Sequence, residues 1–445
     1  MSSRFLLTCW PFDGHIVGPM LIGAALRSRG HEVAIYTGET ARATVEQEGF
    51  ELFTFSHVDE ERAYENMRSL ESREQNKGLS GGRHLLRTFR EWLVETIPNQ
   101  VDDLQPVIAE WKPDVVLTDL SMWAPVVILW EATPVPVVAY QTLMGPLIPG
   151  PDAPPWGLGL APPRTGRERA AQRAITATTQ FFGAGLRRRL DQLRAAHGLP
   201  SMGCTFNEFT ARVPLYLVGS LAELDYNRRD LPDSVHYLGA CIWRPRPDPE
   251  TAAWLDAIPA ERPWVHVTEA TLHYGDPFIL RAAAQGLAGA QVEAVLTTGR
   301  QRDPDALDLG RLAANVHLAR WLSHAELMPR CAAMVTAGGT STILSALQAG
   351  VPLVVVPTNW DKPDNARRVV EAGVGVKIAP KKCTPEALRA AVEEVLADPS
   401  YRENAGRIAE LLARAPGAPR AAELVEEVAL AHTSPAPSVS TARSR

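Results

Sequence analysis

His15 stands in the loop Pro11-Phe12-Asp13-Gly14-His15, directly after the apolar run Phe5-Leu6-Leu7-Thr8-Cys9. Asp119 ends a second run, Asp114-Val115-Val116-Leu117-Thr118-Asp119. A hydroxyl is a poor nucleophile at neutral pH. A histidine can take its proton during attack, and a carboxylate on the other ring nitrogen fixes the tautomer and steadies the imidazolium. Both residues sit just past strand ends, so both can face one cleft. The plainer alternatives are a loop-capping histidine and a turn-forming aspartate. A third group is Thr336-Ala337-Gly338-Gly339-Thr340-Ser341-Thr342, which follows a strand and opens a helix at Ile343–Ala349. Glycines let the backbone approach a ligand, and free N–H groups at a helix start favour an anion. Thr340 and Ser341 could cap that helix or bond an oxygen. An ordinary capped turn is the alternative.

Other chemistries are excluded by what is missing. A dinucleotide fold needs G-x-G-x-x-G after the first strand and an acid ending the second. Here the first loop offers only Gly14 and Gly18, and the second strand ends in Thr37. No phosphate-loop lysine motif occurs. The five cysteines, Cys9, Cys204, Cys241, Cys331 and Cys383, are widely spaced without a C-x-x-C pair. They read as small buried hydrophobes rather than a disulfide framework or zinc site.

These residues must be held by a sizeable fold. The 445 residues favour two domains, at roughly 100–200 residues each. Hydrophobic residues are 45% and charged residues 22%, a globular balance. The net charge of −6 argues against a general nucleic-acid binder. No apolar run approaches the ~20 residues of a membrane span. Met1-Ser2-Ser3-Arg4 leads straight into a strand with no signal-peptide core, so a cytoplasmic protein is expected.

The opening reads strand–helix–strand, which means a right-handed parallel crossover. Pro19 suits the first turn of the helix, Gly30 its end, and Val33–Tyr36 the next strand. Val135–Tyr140 is a further strand. His84–Trp111 is helical and kinked or split at Pro98. Pro146–Pro163 is a long Pro/Gly segment, either a mobile lid or a substrate loop. Arg164–Arg194 is helical and basic. Its Arg187-Arg188-Arg189 reads as a solvated face, with an acidic membrane or partner as the alternative. Trp123 and Trp130 read as core, and Trp156 stands open between core and an aromatic pocket.

The Pro-rich stretch Arg244–Pro249 reads as a linker. Strands follow at Trp264–Thr268, Val292–Thr297, Val316–Ala319, Ala332–Thr336 and Leu353–Val356, and Thr384-Pro385-Glu386 starts a helix. The expected division is an N-terminal domain 1–240, a linker 241–252, a C-terminal domain 253–432 whose last helix packs back on the first domain, and a disordered tail 433–445. Two α/β halves with parallel sheets then face each other, and loops beyond the strands line the cleft.

Thr336–Ile378, with Gly350-Val351-Pro352 and Asp361-Lys362-Pro363-Asp364-Asn365-Ala366, resembles the donor signature of family-1, UDP-glycosyltransferase-like enzymes of the GT-B fold. The resemblance extends to Gly14-His15, Arg29-Gly30-His31 and Trp321-Leu322-Ser323-His324, and covers nearly the whole chain. It is most similar to bacterial members that glycosylate natural products. That resemblance implies an inverting, metal-independent transfer of a sugar from a dTDP- or UDP-sugar to a hydroxyl of a small molecule. No cofactor is implied beyond that co-substrate, and a homodimer stays open.

It implies that Trp321 stacks on the nucleobase, the Leu322 backbone bonds its edge, and His324 lies near the ribose. Gly338, Gly339, Thr340, Ser341 and Thr342 would hold the diphosphate, with Thr271 assisting. Asp361, followed by Lys362, would bond sugar hydroxyls. His15 would be the general base and Asp119 its orienter. The chain departs from the pattern at Ala337, usually His, which removes a charge-assisted donor worth roughly 1.5–3 kcal/mol. It departs again at Lys362, usually Gln, at Glu269-Ala270, usually Phe-Gly, at Pro19, one position late, and at Ser345, often Glu. Two further readings stand beside this one: a GT-B enzyme of another reaction class, such as a nucleotide-sugar epimerase, and a catalytically silent nucleotide-sugar-binding partner, which Ala337 and Lys362 suggest. His15 and Asp119 speak against the silent protein.

Overall fold

The computed structural model describes residues 2–71, 78–243, 248–269, 275–300 and 302–433. Among them, the first sheet is built from β1 (Arg4–Thr8), β2 (Glu32–Thr37), β3 (Glu51–Thr54), β4 (Val115–Asp119), β5 (Val137–Gln141), β6 (Leu215–Val218) and β7 (Val235–Tyr237). Their order is β3-β2-β1-β4-β5-β6-β7, and every pairing is parallel. The second sheet holds β8 (Trp264–Thr268), β9 (Glu293–Thr297), β10 (Val316–Ala319), β11 (Cys331–Thr336), β12 (Leu353–Val355) and β13 (Gly375–Lys377). Its order is β10-β9-β8-β11-β12-β13, again all parallel.

Parallel strands are covered by helices on both faces, so their residues run apolar without alternation. Phe5, Leu6 and Leu7 in β1 and Val115–Leu117 in β4 are all buried. Strand order reverses between β1 and β4 in one sheet and between β8 and β11 in the other. Ligands bind beyond the carboxyl ends at such points. His15 and Asp119 follow the first reversal, and the Gly338–Thr342 loop follows the second.

The first helix spans Asp13–Ser28 with Pro19 inside it. The sequence places its start near Pro19, so the structure moves it forward. An interior proline forfeits the bond to the carbonyl four residues back, here that of His15, and costs ~3 kcal/mol. Burial of Ile16, Met20, Ile22 and Leu26 outweighs this, at roughly 1.5–3 kcal/mol for each such side chain. His15 therefore sits in a helical first turn, its amide bonded to the Phe12 carbonyl at 2.8 Å.

The last helix, Gly417–Thr433, packs against the first, with Ala421, Ala422 and Val425 joining the cluster of Ile22 and Leu26. Glu426 accepts two bonds from Arg29, at 2.5 and 2.7 Å, and meets His31 Nε2 at 2.7 Å. His31 thus fastens this helix. Linker residues 244–247 and tail residues 434–445 lie outside the described residues, while Thr433 still belongs to the helix. Asp248 caps the helix Pro249–Asp256.

The Pro98 region resolves into two helices, Gly78–Leu93 and Ile97–Trp111. The basic segment also forms two, Gly166–Phe182 and Ala184–Ala196, meeting at Gly183. The two halves interlock. Arg368 pairs with buried Asp225 at 2.8 Å, and Met144, Leu221 and Leu224 pack into the core of the second half.

Candidate functional site

Nδ1 of His15 donates to Oδ2 of Asp119 at 2.6 Å. The other Asp119 oxygen accepts the Ser121 amide at 2.8 Å and its hydroxyl at 2.9 Å. That hydroxyl also lies 3.0 Å from His15 Nδ1. Asp119 is buried at the end of β4, so the carboxylate is fixed from three directions. The arrangement leaves Nε2 as the nitrogen able to take a proton. Burial pulls the imidazole pKa down. The charge and hydrogen bond of Asp119, and then the charge of Asp361, outweigh it and raise the value above 6.5. Ser121 carried no signal in the sequence beyond its closeness to Asp119.

Asp361 belongs to the other half, at the cap of the helix Lys362–Glu371. Its Oδ2 accepts the Thr340 hydroxyl at 3.1 Å and the Asn365 amide at 2.6 Å. Asn365 also donates to the Gly338 carbonyl at 2.9 Å and to Thr340 Oγ1 at 3.1 Å. One amide therefore braces the glycine loop against the Asp361 carboxylate. Burial raises the Asp361 pKa, and Lys362, Asn365 and Thr340 oppose the rise.

The loop itself turns at Gly338, with φ +98°, where an added Cβ would sit 2.8 Å from Val355 Cγ1. The helix after it runs Thr340–Gln348, and its cap is Gly339 without a side-chain bond. Neither Thr340 nor Ser341 caps it, and the Thr340 hydroxyl instead bonds an Asp361 oxygen. The amides of the first turn lack helical partners and carry the positive end of the helix dipole. Ala337 is buried in the core.

Trp321 is 37% exposed and the Arg300 guanidinium lies 3.7 Å above its ring. This face accepts a flat cation and suits any planar ring of similar size. The Leu322 side chain is buried. His324 is pushed down to about 4 by burial, so it is neutral at pH 7. Its ring faces the buried His266 at 5.5 Å. Thr271 lies outside the described residues.

Three cavities adjoin the first turn of the first helix, and two of them reach His15. One of about 630 Å³ runs past Trp321, His324, Ser345 and Ser341. One of about 770 Å³ joins His15 to Gly339–Thr342, Asp361 and Lys362. The third, about 240 Å³, is walled by Phe89, Trp123, Trp156, Phe206 and Trp360 and reaches His15 and Asp119. Trp123, read as core, is both buried and part of this wall, stacked on Phe206 at 3.9 Å. Trp130 packs against Phe209, and Trp156 takes the pocket role. Trp360 was invisible in the sequence. It takes φ +65° and reaches Phe89 and Trp92 of the first half.

The long loop 146–163 is tied down. Its Gly157 and Gly159 amides donate to Asp364 at 2.6 and 2.8 Å. Among the described residues, no group of three or more His, Cys, Asp and Glu could hold a metal ion. None of their helices is long and apolar enough to cross a membrane.

Residues 283–429 match the family described as Erythromycin biosynthesis protein CIII-like, C-terminal domain. The chain is 32% identical over 428 residues to 4'-demethylrebeccamycin synthase of Lentzea aerocolonigenes, covering 96% of this chain and 99% of that protein. It is 27% identical over 433 residues to UDP-glycosyltransferase 2 of Phaeomoniella chlamydospora, covering 91% of each. Among solved structures, the glycotransferase of kitacinnamycin superposes with a TM-score of 0.72 at 24% identity, over 96% of this chain and 99% of that one. The spinosyn rhamnosyltransferase SpnG complexed with thymidine diphosphate gives 0.68 at 19%, over 96% and 100%.

Proposed function

The chain belongs to the GT-B glycosyltransferases of bacterial natural-product type, and from that premise we propose that His15 and Asp119 drive a single inverting displacement. The enzyme transfers a sugar from a nucleoside-diphosphate donor to a small-molecule acceptor. The acceptor hydroxyl gives its proton to His15 Nε2 while its oxygen attacks the anomeric carbon. The bond from that carbon to the diphosphate oxygen breaks, and the nucleoside diphosphate leaves with the electron pair. Asp119 holds the tautomer and steadies the imidazolium.

Trp321 carries the base, and the first-turn amides at Gly339–Thr342 take the leaving charge, supported by the helix dipole. Asp361 and Lys362 flank the sugar. Thr271 would assist at the diphosphate. The 240 Å³ cavity takes the acceptor, and its aromatic wall supports an apolar natural product. A thymidine diphosphate in the related SpnG structure supports a dTDP-sugar donor. We place the enzyme in the cytoplasm, acting without nucleic acid, which its net charge of −6 supports.

The observation that carries the reading is the 2.6 Å His15–Asp119 bond at the point where donor cleft and apolar cavity meet. The test is nucleoside diphosphate release with and without acceptor, read with product mass and anomeric coupling by NMR. Release that depends on acceptor and gives the inverted anomer is expected. Release without acceptor, or a retained anomer, rejects the reading.

A further inference from the structure

The helices Gly166–Phe182 and Ala184–Ala196 meet at Gly183, and while the second buries Leu190 and Leu193 in the core, the first is left uncovered. No residue of the first helix is buried. At the corner, Phe181 is 78% exposed and Phe182 69%, their rings 5.7 Å apart. Adjacent bare aromatics on a soluble surface mark an interaction site rather than packing. The two helices that meet there are rich in arginine. Between Arg164 and Arg194 eight arginines stand against Glu168 and Asp191, in a chain of net charge −6. Arg164, Arg169, Arg189 and Arg194 are ion-paired. Arg167, Arg173, Arg187 and Arg188 are exposed, and among the described residues no ion pair holds them.

We propose that this corner docks on an anionic lipid bilayer, from which an apolar acceptor enters the enzyme. A protruding aromatic corner suits the headgroup boundary, where rings bury and arginines at the root meet anionic headgroups. A protein partner that receives a helix would instead need a groove or a long apolar stripe. The same corner opens the acceptor cavity, because Thr179, Gln180, Gly183 and Leu186 line it. Docking therefore puts the mouth of that cavity where apolar molecules concentrate. The entry route rests on the acceptor reading of the cavity, while the docking itself does not.

The test is co-sedimentation of the full chain with vesicles of equal phosphatidylglycerol and phosphatidylcholine, and with phosphatidylcholine alone. Binding to the anionic vesicles only is expected, falling at about 0.5 M salt. The double variant Phe181→Ser/Phe182→Ser, and separately Arg173→Gln/Arg188→Gln, should weaken it about tenfold. Both should keep wild-type melting temperature and turnover of a water-soluble acceptor without vesicles. Wild-type protein left in the supernatant, or variants that bind as wild type, overturns the proposal. So does a concentration-dependent dimer that the phenylalanine variant abolishes, which assigns the corner to a second copy. Failure of every soluble acceptor would reject the transfer reading and leave the vesicle result standing.

Discussion

Trp360 stands edge-on to Trp156, ring centroids 5.2 Å apart and planes at 89°. The first residue follows a strand of the second sheet and the second lies in the loop of the first half, so the 240 Å³ cavity is walled from both halves. A bulky residue at φ +65° is a backbone outlier that its surroundings must hold in place. Three aromatic neighbours, Phe89, Trp92 and Trp156, do so. Trp360→Ala should raise the acceptor KM about tenfold, or about 1.4 kcal/mol, with nucleotide affinity close to wild type. Steady-state kinetics beside calorimetry will check this. An unchanged acceptor KM would remove Trp360 from the acceptor wall.

The proposed roles of His15 and Asp119 predict two pH effects of opposite sign. His15 must be neutral to act as base, and its pKa is raised above 6.5. The acid limb of kcat/KM should therefore have its midpoint above 6.5. Asp119→Asn removes the charge and leaves the burial, so the limb should move to lower pH. Stability runs the other way. The folded state binds this proton more tightly, so the contribution is complete below 6.5 and is lost as pH rises through the raised value. His15→Ala should flatten that dependence and lower kcat by about 10²–10⁴-fold with an alcohol acceptor of high pKa. A variant keeping more than about a tenth of wild-type kcat would contradict the assignment.

The sequence was legible where local rules agree with the fold. Doubly buried parallel strands read as apolar runs, so β1, β4 and β11 were plain, and the motifs lay at or just after their ends. The short, half-exposed β7 gave no such run. Pro19 misplaced the first helix because positional preference was read without the packing that overrides it. Trp360 could not be found at all. Its conformation breaks the local preference, and its partners Phe89, Trp92 and Trp156 are more than 200 residues away in the chain. The same holds for the loop 146–163, whose anchor Asp364 lies on a helix of the other half.

That anchor is testable by itself. Asp364 receives two amide bonds, and charge-assisted bonds contribute about 1.5–3 kcal/mol each. Gly159 has φ +60°, and an added Cβ would sit 2.7 Å from the Pro363 carbonyl oxygen, so the loop lies close against this helix. Asp364→Ala should speed proteolytic cleavage within 146–163 and raise the acceptor KM more than the donor KM. Mass mapping of a time course reads the first effect directly. Cleavage at the wild-type rate would mean that the Arg164–Glu371 pair suffices to hold the loop.

Ser345 lies in the helix after the glycine loop and faces the cleft that Trp321 and His324 also line. Its hydroxyl already donates to the Ser341 carbonyl at 2.8 Å, within its own helix. A serine so engaged, short and uncharged, offers little to a ribose diol that a carboxylate could hold by two hydrogen bonds. Without that pull there is no reward for a 2′-hydroxyl. The enzyme should therefore use dTDP-sugars at least as well as UDP-sugars. Ser345→Glu should shift the ratio of kcat/KM toward the UDP donor, since charged hydrogen bonds are worth about 1.5–3 kcal/mol. The paired comparison uses one sugar on both nucleotides and one acceptor. A wild-type preference for the UDP donor of about tenfold, or about 1.4 kcal/mol, would sink the idea. A Ser345→Glu variant with an unchanged ratio would place the ribose elsewhere in the cleft.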